Sequence, residues 1–209
     1  MDYKQVIGCA YTYRVSLVVR DKLAVDRVEH SSHFENAFSY FRKVDSVADI
    51  VFDGGELVLR KHPLTGENVD HWCEPELGIV LGEKHEIVGY VLGNDFTAAS
   101  VEFEEEKVGY DPTYYAKCWK GSCALSSEFT FKGDVDIGLR IERGGKAVYD
   151  FAYNTSQRLR EFSSLPGMVV EKFNTLRESK KVLIENGYLV PGTVILVGSG
   201  FTPRIECLC

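Results

Sequence analysis

Three carboxylates lie close together in this 209-residue chain and come from two strand-like segments. Glu74-Pro75-Glu76 runs into Leu77-Gly78-Ile79-Val80-Leu81, and Asp95 closes the segment that begins Ile87-Val88-Gly89-Tyr90-Val91-Leu92. Side chains two apart on a strand share a face, so Glu74 and Glu76 aim at one point. The second strand returns along the first across a short hairpin and carries Asp95 to the same place. Three hard oxygen ligands suit magnesium, with manganese and calcium as the other ions such a set accepts. A Glu-x-Glu pair is also common on the solvated surface of an acidic protein. The apolar context favours a site. Trp72, Leu77, Ile79 and Val80 put the pair at the mouth of a buried strand, where a carboxylate needs a cation or strong hydrogen bonds to stay ionised. His71 and Cys73 lie nearby, but this ligand set does not require them.

A divalent ion on three carboxylates keeps about three of its six octahedral positions open. Those positions are open to oxygen atoms of a substrate, on which the ion would act as a Lewis acid.

Composition bounds the rest. The length suffices for one domain with a sizeable core, and 44% hydrophobic with 26% charged residues is ordinary for a soluble globular protein. A formal net charge of -7 argues against a nucleic-acid partner. No apolar run reaches the roughly 18 residues of a membrane span, and residues 1–20 carry no signal-peptide pattern, so a cytoplasmic home is expected. The six cysteines include no Cys-x-x-Cys pair of the zinc type, and Cys207-Leu208-Cys209 reads as a free tail.

Four segments in register resemble the fumarylacetoacetate hydrolase superfamily, between about residue 70 and residue 203. Glu74 to Gly82 is similar to its metal-binding strand. Ile87 to Ala98 is similar to the segment that ends in the third metal ligand. Ala116-Lys117-Cys118-Trp119-Lys120-Gly121-Ser122-Cys123-Ala124-Leu125 resembles the segment whose lysine faces the substrate. Pro191 to Gly200 resembles a late strand, with Ser199 where the family has a Gly-Thr. The resemblance implies Glu74, Glu76 and Asp95 as ligands of magnesium, Lys117 as the cation beside the substrate carboxylate or enolate, and Ser199 as a hydroxyl donor. Thr155 is a further polar contact by a looser match. The alternative for Lys117 is a surface lysine.

The departures are as informative. Family members that hydrolyse carbon–carbon bonds carry a His-Glu pair on an early lid. Here Arg14 stands where that histidine would be and Leu17 where the glutamate would be. The family's Ser-Ala-Arg-Asp reads Thr97-Ala98-Ala99-Ser100, so its Arg-Asp pair is gone. Relatives also continue through a further strand where this chain stops at Cys209. Gly8 to Arg14 and Tyr114 to Ala124 look more like the 2-keto-3-deoxy-arabinonate dehydratase branch. The resemblance therefore implies dehydration of a 2-keto-3-deoxy sugar acid, a small-molecule 2-oxo acid, with Arg14 contacting the substrate. Two alternatives stay open. One is an acylpyruvate-type hydrolase using His30 or His33 with Glu35 as a relocated acid–base pair; the other is a non-catalytic relative. A homodimer or higher homo-oligomer is expected, because symmetric dimers are the commonest assembly and an exposed sheet edge needs cover.

The positioning elements follow from periodicity. Mixed apolar and charged residues without Gly or Pro predict a helical stretch over residues 15–43, within a lid-like segment 1–48. Residues 49–209 read as a β-rich core, with a short strand at Leu57-Val58-Leu59, strands at 129–131, 136–141 and 148–151, helices at 156–162 and 168–186, and a last strand from Thr193 to Val197. The whole is a single domain, mainly β with helices (α+β), consistent with the rolled mixed sheet that the resemblance implies.

Overall fold

An eleven-residue strand, β6 (His71–Leu81), runs through the centre of the protein. Leu77, Ile79 and Leu81 are buried on one of its faces and Glu76 and Val80 on the other, so both faces are covered. Such a strand reads as a nearly continuous apolar run. The computed structural model describes residues 2–10, 12–13, 15–19, 25–29, 38–102, 112–175 and 182–205.

β7 (Ile87–Ala98) returns antiparallel along the full length of β6, with Glu74 opposite Asp95 and Glu76 opposite Gly93. The other edge of β6 is shared by two strands. β13 (Thr193–Leu196) pairs with Gly78 to Val80, and β14 (Phe201–Ile205) pairs with His71 and Trp72. Residues 197–200 cross the interval between them, beside Glu74-Pro75-Glu76. β1 (Gln5–Ala10) lies parallel to β13 and is flanked by antiparallel β4 (Ser39–Arg42). β2 (Val15–Val19) is parallel to β14 and carries antiparallel β3 (Val25–Glu29). β5 (Val51–Phe52) and β8 (Cys123–Leu125) extend the sheet beyond β7. The result is a ten-stranded mixed sheet.

β9 (Asp136–Arg143) and β10 (Lys146–Asn154) form a separate hairpin. The helices are short: α1 (Ala99–Glu102), α2 (Pro112–Lys117) and α3 (Leu165–Thr175). One core packs Ile7, Leu77 and Ile79 against Ile137, Tyr153 and Leu165. The other gathers Val6, Val44, Val80, Val91, Leu125 and Leu196. The α+β class expected from the sequence is the class observed. Among the described residues no helix is long and apolar enough to cross a membrane.

Several expected elements are corrected. Residues 15–43 are not helical where they are described, and the segment 1–48 consists there mainly of strands β1 to β4. Val15-Ser16-Leu17-Val18-Val19 is rich in β-branched residues, and pairing with β14 draws it into the sheet, a tertiary contact that outweighs local propensity. The late helix starts at Leu165, not Met168, and does not run to Asn186. Ile184–Glu185 instead pairs with Tyr188–Leu189 across Asn186-Gly187, whose φ values of 52° and 80° make the two-residue hairpin turn that Asn-Gly favours. Residues 156–162 hold two 3-10 turns, Thr155–Gln157 and the start of Phe162–Ser164. Leu57-Val58-Leu59 is a loop, tied by the Val58 N–H to the Gly121 carbonyl at 3.1 Å. Of 129–131, only Phe129 bridges, to Tyr90.

Gly8 shows how tightly the sheet centre is filled. It lies opposite Phe41 in the β1–β4 ladder, and the Phe41 ring covers its Cα so closely that a Cβ there would overlap three ring carbons. A ring cannot give way as a flexible side chain can. Gly8→Ala is expected to cost about 1–3 kcal/mol, as overpacked cores do, and to lower the thermal midpoint. A variant that melts with the wild type would show that the ring has room to move.

Candidate active site

Alternation along β6 turns Glu74 and Glu76 to the same face, and the register of β7 sets Asp95 directly opposite Glu74. Thr97, two residues beyond Asp95, shares that face. Behind them α2 ends on Lys117, whose ammonium donates to Glu74 Oε2 at 2.6 Å, Asp95 Oδ2 at 3.0 Å and Thr97 Oγ1 at 2.7 Å. The Thr97 hydroxyl in turn donates to Glu74 Oε2 at 2.8 Å. Glu102, at the end of α1, brings a fourth carboxylate within 3.9 Å of the same ammonium.

Two features support this cluster from behind. Lys43, directly after β4, is fully buried and forms an ion pair with the other Asp95 oxygen. It also donates to the carbonyls of Phe96 at 2.8 Å and Lys117 at 2.7 Å. On the open edge of β6, the Gly198 N–H donates to Glu76 Oε2 at 2.8 Å, and the Tyr153 hydroxyl donates to the Pro75 carbonyl at 2.9 Å. Gly198 has φ +88°, and a Cβ there would strike the Thr12 hydroxyl. This backbone donor can therefore be presented only by glycine.

Burial and charge oppose each other throughout the pocket. Burial raises the Glu76 carboxyl well above its ordinary range, and the Asp95 and Glu74 charges push it further. Burial would also raise Asp95, but the Lys117 and Lys43 ammoniums outweigh it and hold that carboxyl below its ordinary range. Burial raises the Glu102 carboxyl despite Lys117 beside it. For Lys117, burial works against the charge, and Asp95, Glu102 and Glu74 reverse it, so the ammonium keeps its proton more firmly than an ordinary lysine.

A divalent cation fits this donor set. Two ammoniums cannot neutralise four carboxylates, so Glu76 and Glu102 favour their protonated forms here, and a divalent cation would let all four ionise. The donors are hard oxygens of the kind that magnesium and manganese take. As the side chains stand, no three His, Cys, Asp or Glu among the described residues are drawn together closely enough to cage an ion. The Lys117 ammonium spaces Glu74 from Asp95.

The structure thus gathers four of the residues singled out in the sequence, Glu74, Glu76, Asp95 and Lys117. Ser199 lies next to Gly198 and shares a hydrogen bond with the Tyr153 phenol. Thr155 is buried with its hydroxyl engaged locally: it accepts from the Val135 N–H at 2.9 Å and donates to Asp134 at 3.2 Å. Arg14, His30, His33 and Glu35 lie outside the described residues. His71 and Cys73 face away from the carboxylates, and the His71 ring stacks on Phe96. A cavity of about 290 Å³ lies behind the strands on that opposite face, lined in part by Pro75, Asn94 and Ile137. Sequence reasoning missed Lys43, Thr97, Glu102 and the Gly198 N–H. A Thr two residues after Asp95 was the only one of these with a local signal, since it falls on the same strand face.

No family model matches the chain. Its sequence is 36% identical over 120 residues to a probable 2-keto-3-deoxyxylonate dehydratase of Haloferax volcanii, a match that spans 56% of this chain and 40% of that protein. The fold is similar to that of a 2-keto-3-deoxy-D-arabinonate dehydratase complexed with magnesium and 2,5-dioxopentanoate, with a TM-score of 0.62 at 20% identity over 100% of this chain and 64% of the other. The chain also shares its fold with a yeast fumarylacetoacetate hydrolase family protein, at a TM-score of 0.58 and 16% identity over 98% of this chain and 83% of that one. A fumarylpyruvate hydrolase from Pseudomonas aeruginosa, solved in complex with Mn2+ and pyruvate, is similar in fold at a TM-score of 0.58 and 16% identity over 99% of this chain and 81% of that one. The chain spans about two fifths of the length of the curated relatives it matches.

Glu76 supplies a test of the electrostatics. Its folded pKa lies above the unfolded value of about 4.3, so the stability linked to its proton is present below that value and lost as pH rises through the folded pKa. Glu76→Gln removes the titration and can still accept from the Gly198 N–H. Freed of metal, the variant is expected to be more stable than the wild type at pH 8, by on the order of 1 kcal/mol, with the gap closing towards pH 5. Urea unfolding at the two pH values measures it, and a gap independent of pH would contradict the assignment.

Proposed function

We propose that this protein is a divalent-metal-dependent enzyme that acts on a 2-oxo acid through its enolate and dehydrates a 2-keto-3-deoxy sugar acid. One observation carries the proposal: β6 and β7 turn Glu74, Glu76 and Asp95 to one buried face with the Lys117 ammonium among them. The sequence similarity to a dehydratase of this substrate class supports the choice of reaction. Glu74, Glu76 and Asp95 would hold magnesium or manganese. When bound, the ion supplies a Lewis acid for the oxo-acid end of the substrate.

The chain's own groups do the rest. The Lys117 ammonium offsets the negative charge that develops as the C3 proton leaves, and does so in a pocket with little water to screen it. Thr97 and Asp95 orient that ammonium. Dehydration passes the C3 proton to a carboxylate of the pocket and a proton to the C4 hydroxyl, which leaves as water, so the leaving hydroxyl needs a proton donor. Glu102 holds its proton more readily than a solvated glutamate and sits 3.9 Å from Lys117, which suits it to be that donor. Ser199 offers a hydroxyl at the mouth, and Arg14 a permanent cation for a hydroxyl-rich substrate. In the hydrolase alternative His33 and Glu35 would activate water. A homodimer completes the proposal. Phe52 and Leu92, 46% and 45% exposed, border one groove and offer an apolar contact.

Calorimetry with Mg2+ or Mn2+ is expected to show a divalent site in the wild type that Glu76→Ala loses. Two turnover assays under the same metal conditions then separate the reactions, one following 2-keto-3-deoxy-arabinonate dehydration and the other pyruvate release from an acylpyruvate. Dehydration is expected to be the faster, and Lys117→Met to slow it about 100-fold or more. Faster acylpyruvate cleavage would put the hydrolase in its place. Absence of any divalent site in the wild type would leave a non-catalytic relative. Sedimentation showing only monomers at micromolar concentration would contradict the dimer.

A further inference from the structure

The two lysines of the site are held in different ways. Lys117 donates its three N–H groups to side chains, Glu74, Asp95 and Thr97. Lys43 donates to two main-chain carbonyls, those of Phe96 and of Lys117 itself, and sets its charge against Asp95 as an ion pair. Its side chain is 0% exposed, whereas that of Lys117 is 8% exposed. Its own backbone N–H donates to the Val6 carbonyl at 2.9 Å, so the residue is pinned at both ends. The two Asp95 oxygens are divided between the two lysines, Oδ1 with Lys43 and Oδ2 with Lys117.

From this division we infer that Lys43 is the positioning residue of the carboxylate site, a fixed counter-ion that aims Asp95 and anchors the end of α2 so that Lys117 stays opposite it. The inference rests on the metal-dependent function proposed above. A buried ammonium needs an acid partner in any role, and Asp95 supplies it. A lysine that served Asp95 alone would not tie down the Phe96 and Lys117 backbone. Lys43 does both, and so links the strand that carries one carboxylate to the helix that carries the working ammonium. All the partners of Lys117 are side chains at the mouth, so its ammonium can adjust while the helix end stays in place. Lys43 has no such freedom and stays against Asp95 Oδ1, so Oδ2 is the oxygen through which Asp95 would hold a cation. Partners behind a ligand typically contribute 10- to 100-fold to metal affinity.

The test is Mn2+ binding by calorimetry to the metal-stripped full chain, with folding of each variant checked by circular dichroism. Lys43→Met is expected to weaken binding at least about tenfold, and Lys43→Arg, which restores a cation against Asp95, to return it to within about threefold of the wild type. A folded Lys43→Met that binds Mn2+ as the wild type does would overturn the inference. So would a folded Lys43→Arg that binds as weakly as the methionine variant. Should Lys43→Met not fold, the arginine variant decides alone: affinity within threefold supports a positioning cation, and a tenfold loss refutes it. If the wild type itself takes up no Mn2+, the metal-dependent function falls first and the inference falls with it.

Discussion

The arrangement depends on one constraint, the burial of more negative than positive charge in a single pocket. Moving a carboxylate out of water costs several kcal/mol unless its partners make up the loss. The chain offsets that cost unevenly. Asp95 has two ammoniums and remains ionised, whereas Glu76 has a backbone N–H and too little positive charge nearby. A site built for stability alone would carry apolar residues at these positions. The retained imbalance is one that a cation would relieve, and the proposed metal site rests on it.

The sheet is shaped around the same residues. β6 is paired along one edge by β7 over its whole length, with one register shift between Val80 and Leu81, but on its other edge β13 and β14 pair only at the two ends. Between them the main chain of Glu74-Pro75-Glu76 would be left open. Pro75 has no N–H to lose there, and its carbonyl accepts from the Tyr153 hydroxyl. The Gly198 N–H, which a continuous ladder would have used between strands, turns instead to the Glu76 side chain. The interruption of the sheet and the presentation of the ligand are one feature.

How much of this was legible in the sequence varies by the range of the interaction. The shared face of Glu74, Glu76 and Asp95 follows from a period of two and a hairpin, both local. The pairing of β6 with β7 was therefore readable, and so was Lys117 once its segment was recognised. Lys43 was not readable. Phe41-Arg42-Lys43-Val44-Asp45 looks like an ordinary surface stretch, and what buries it, Asp95 and two carbonyls, lies 50 or more residues away. A backbone donor such as Gly198 has no side chain to betray it. The error over residues 15–43 has the same origin. The β-branched residues from Val15 to Val19 are a weak local signal, and what decides the strand is its ladder with β14, far along the chain. The Asn186-Gly187 turn was a local signal, outweighed by an apolar period that continued past it.

The Gly198–Glu76 hydrogen bond spans 122 residues of chain. During synthesis, Glu76 and its neighbours leave the ribosome long before the segment that closes their strand edge exists. β1 waits longer still, since Gln5 meets Thr193 across 188 residues. Contacts of such range make folding slow, because loop closure must be met before they contribute. The nascent chain therefore carries a ready-made strand with an unpaired edge and an acidic head until its last strands arrive. The carboxylates proposed to hold a metal in the finished protein are thus charges of the kind that keep a bare strand edge from pairing with other chains.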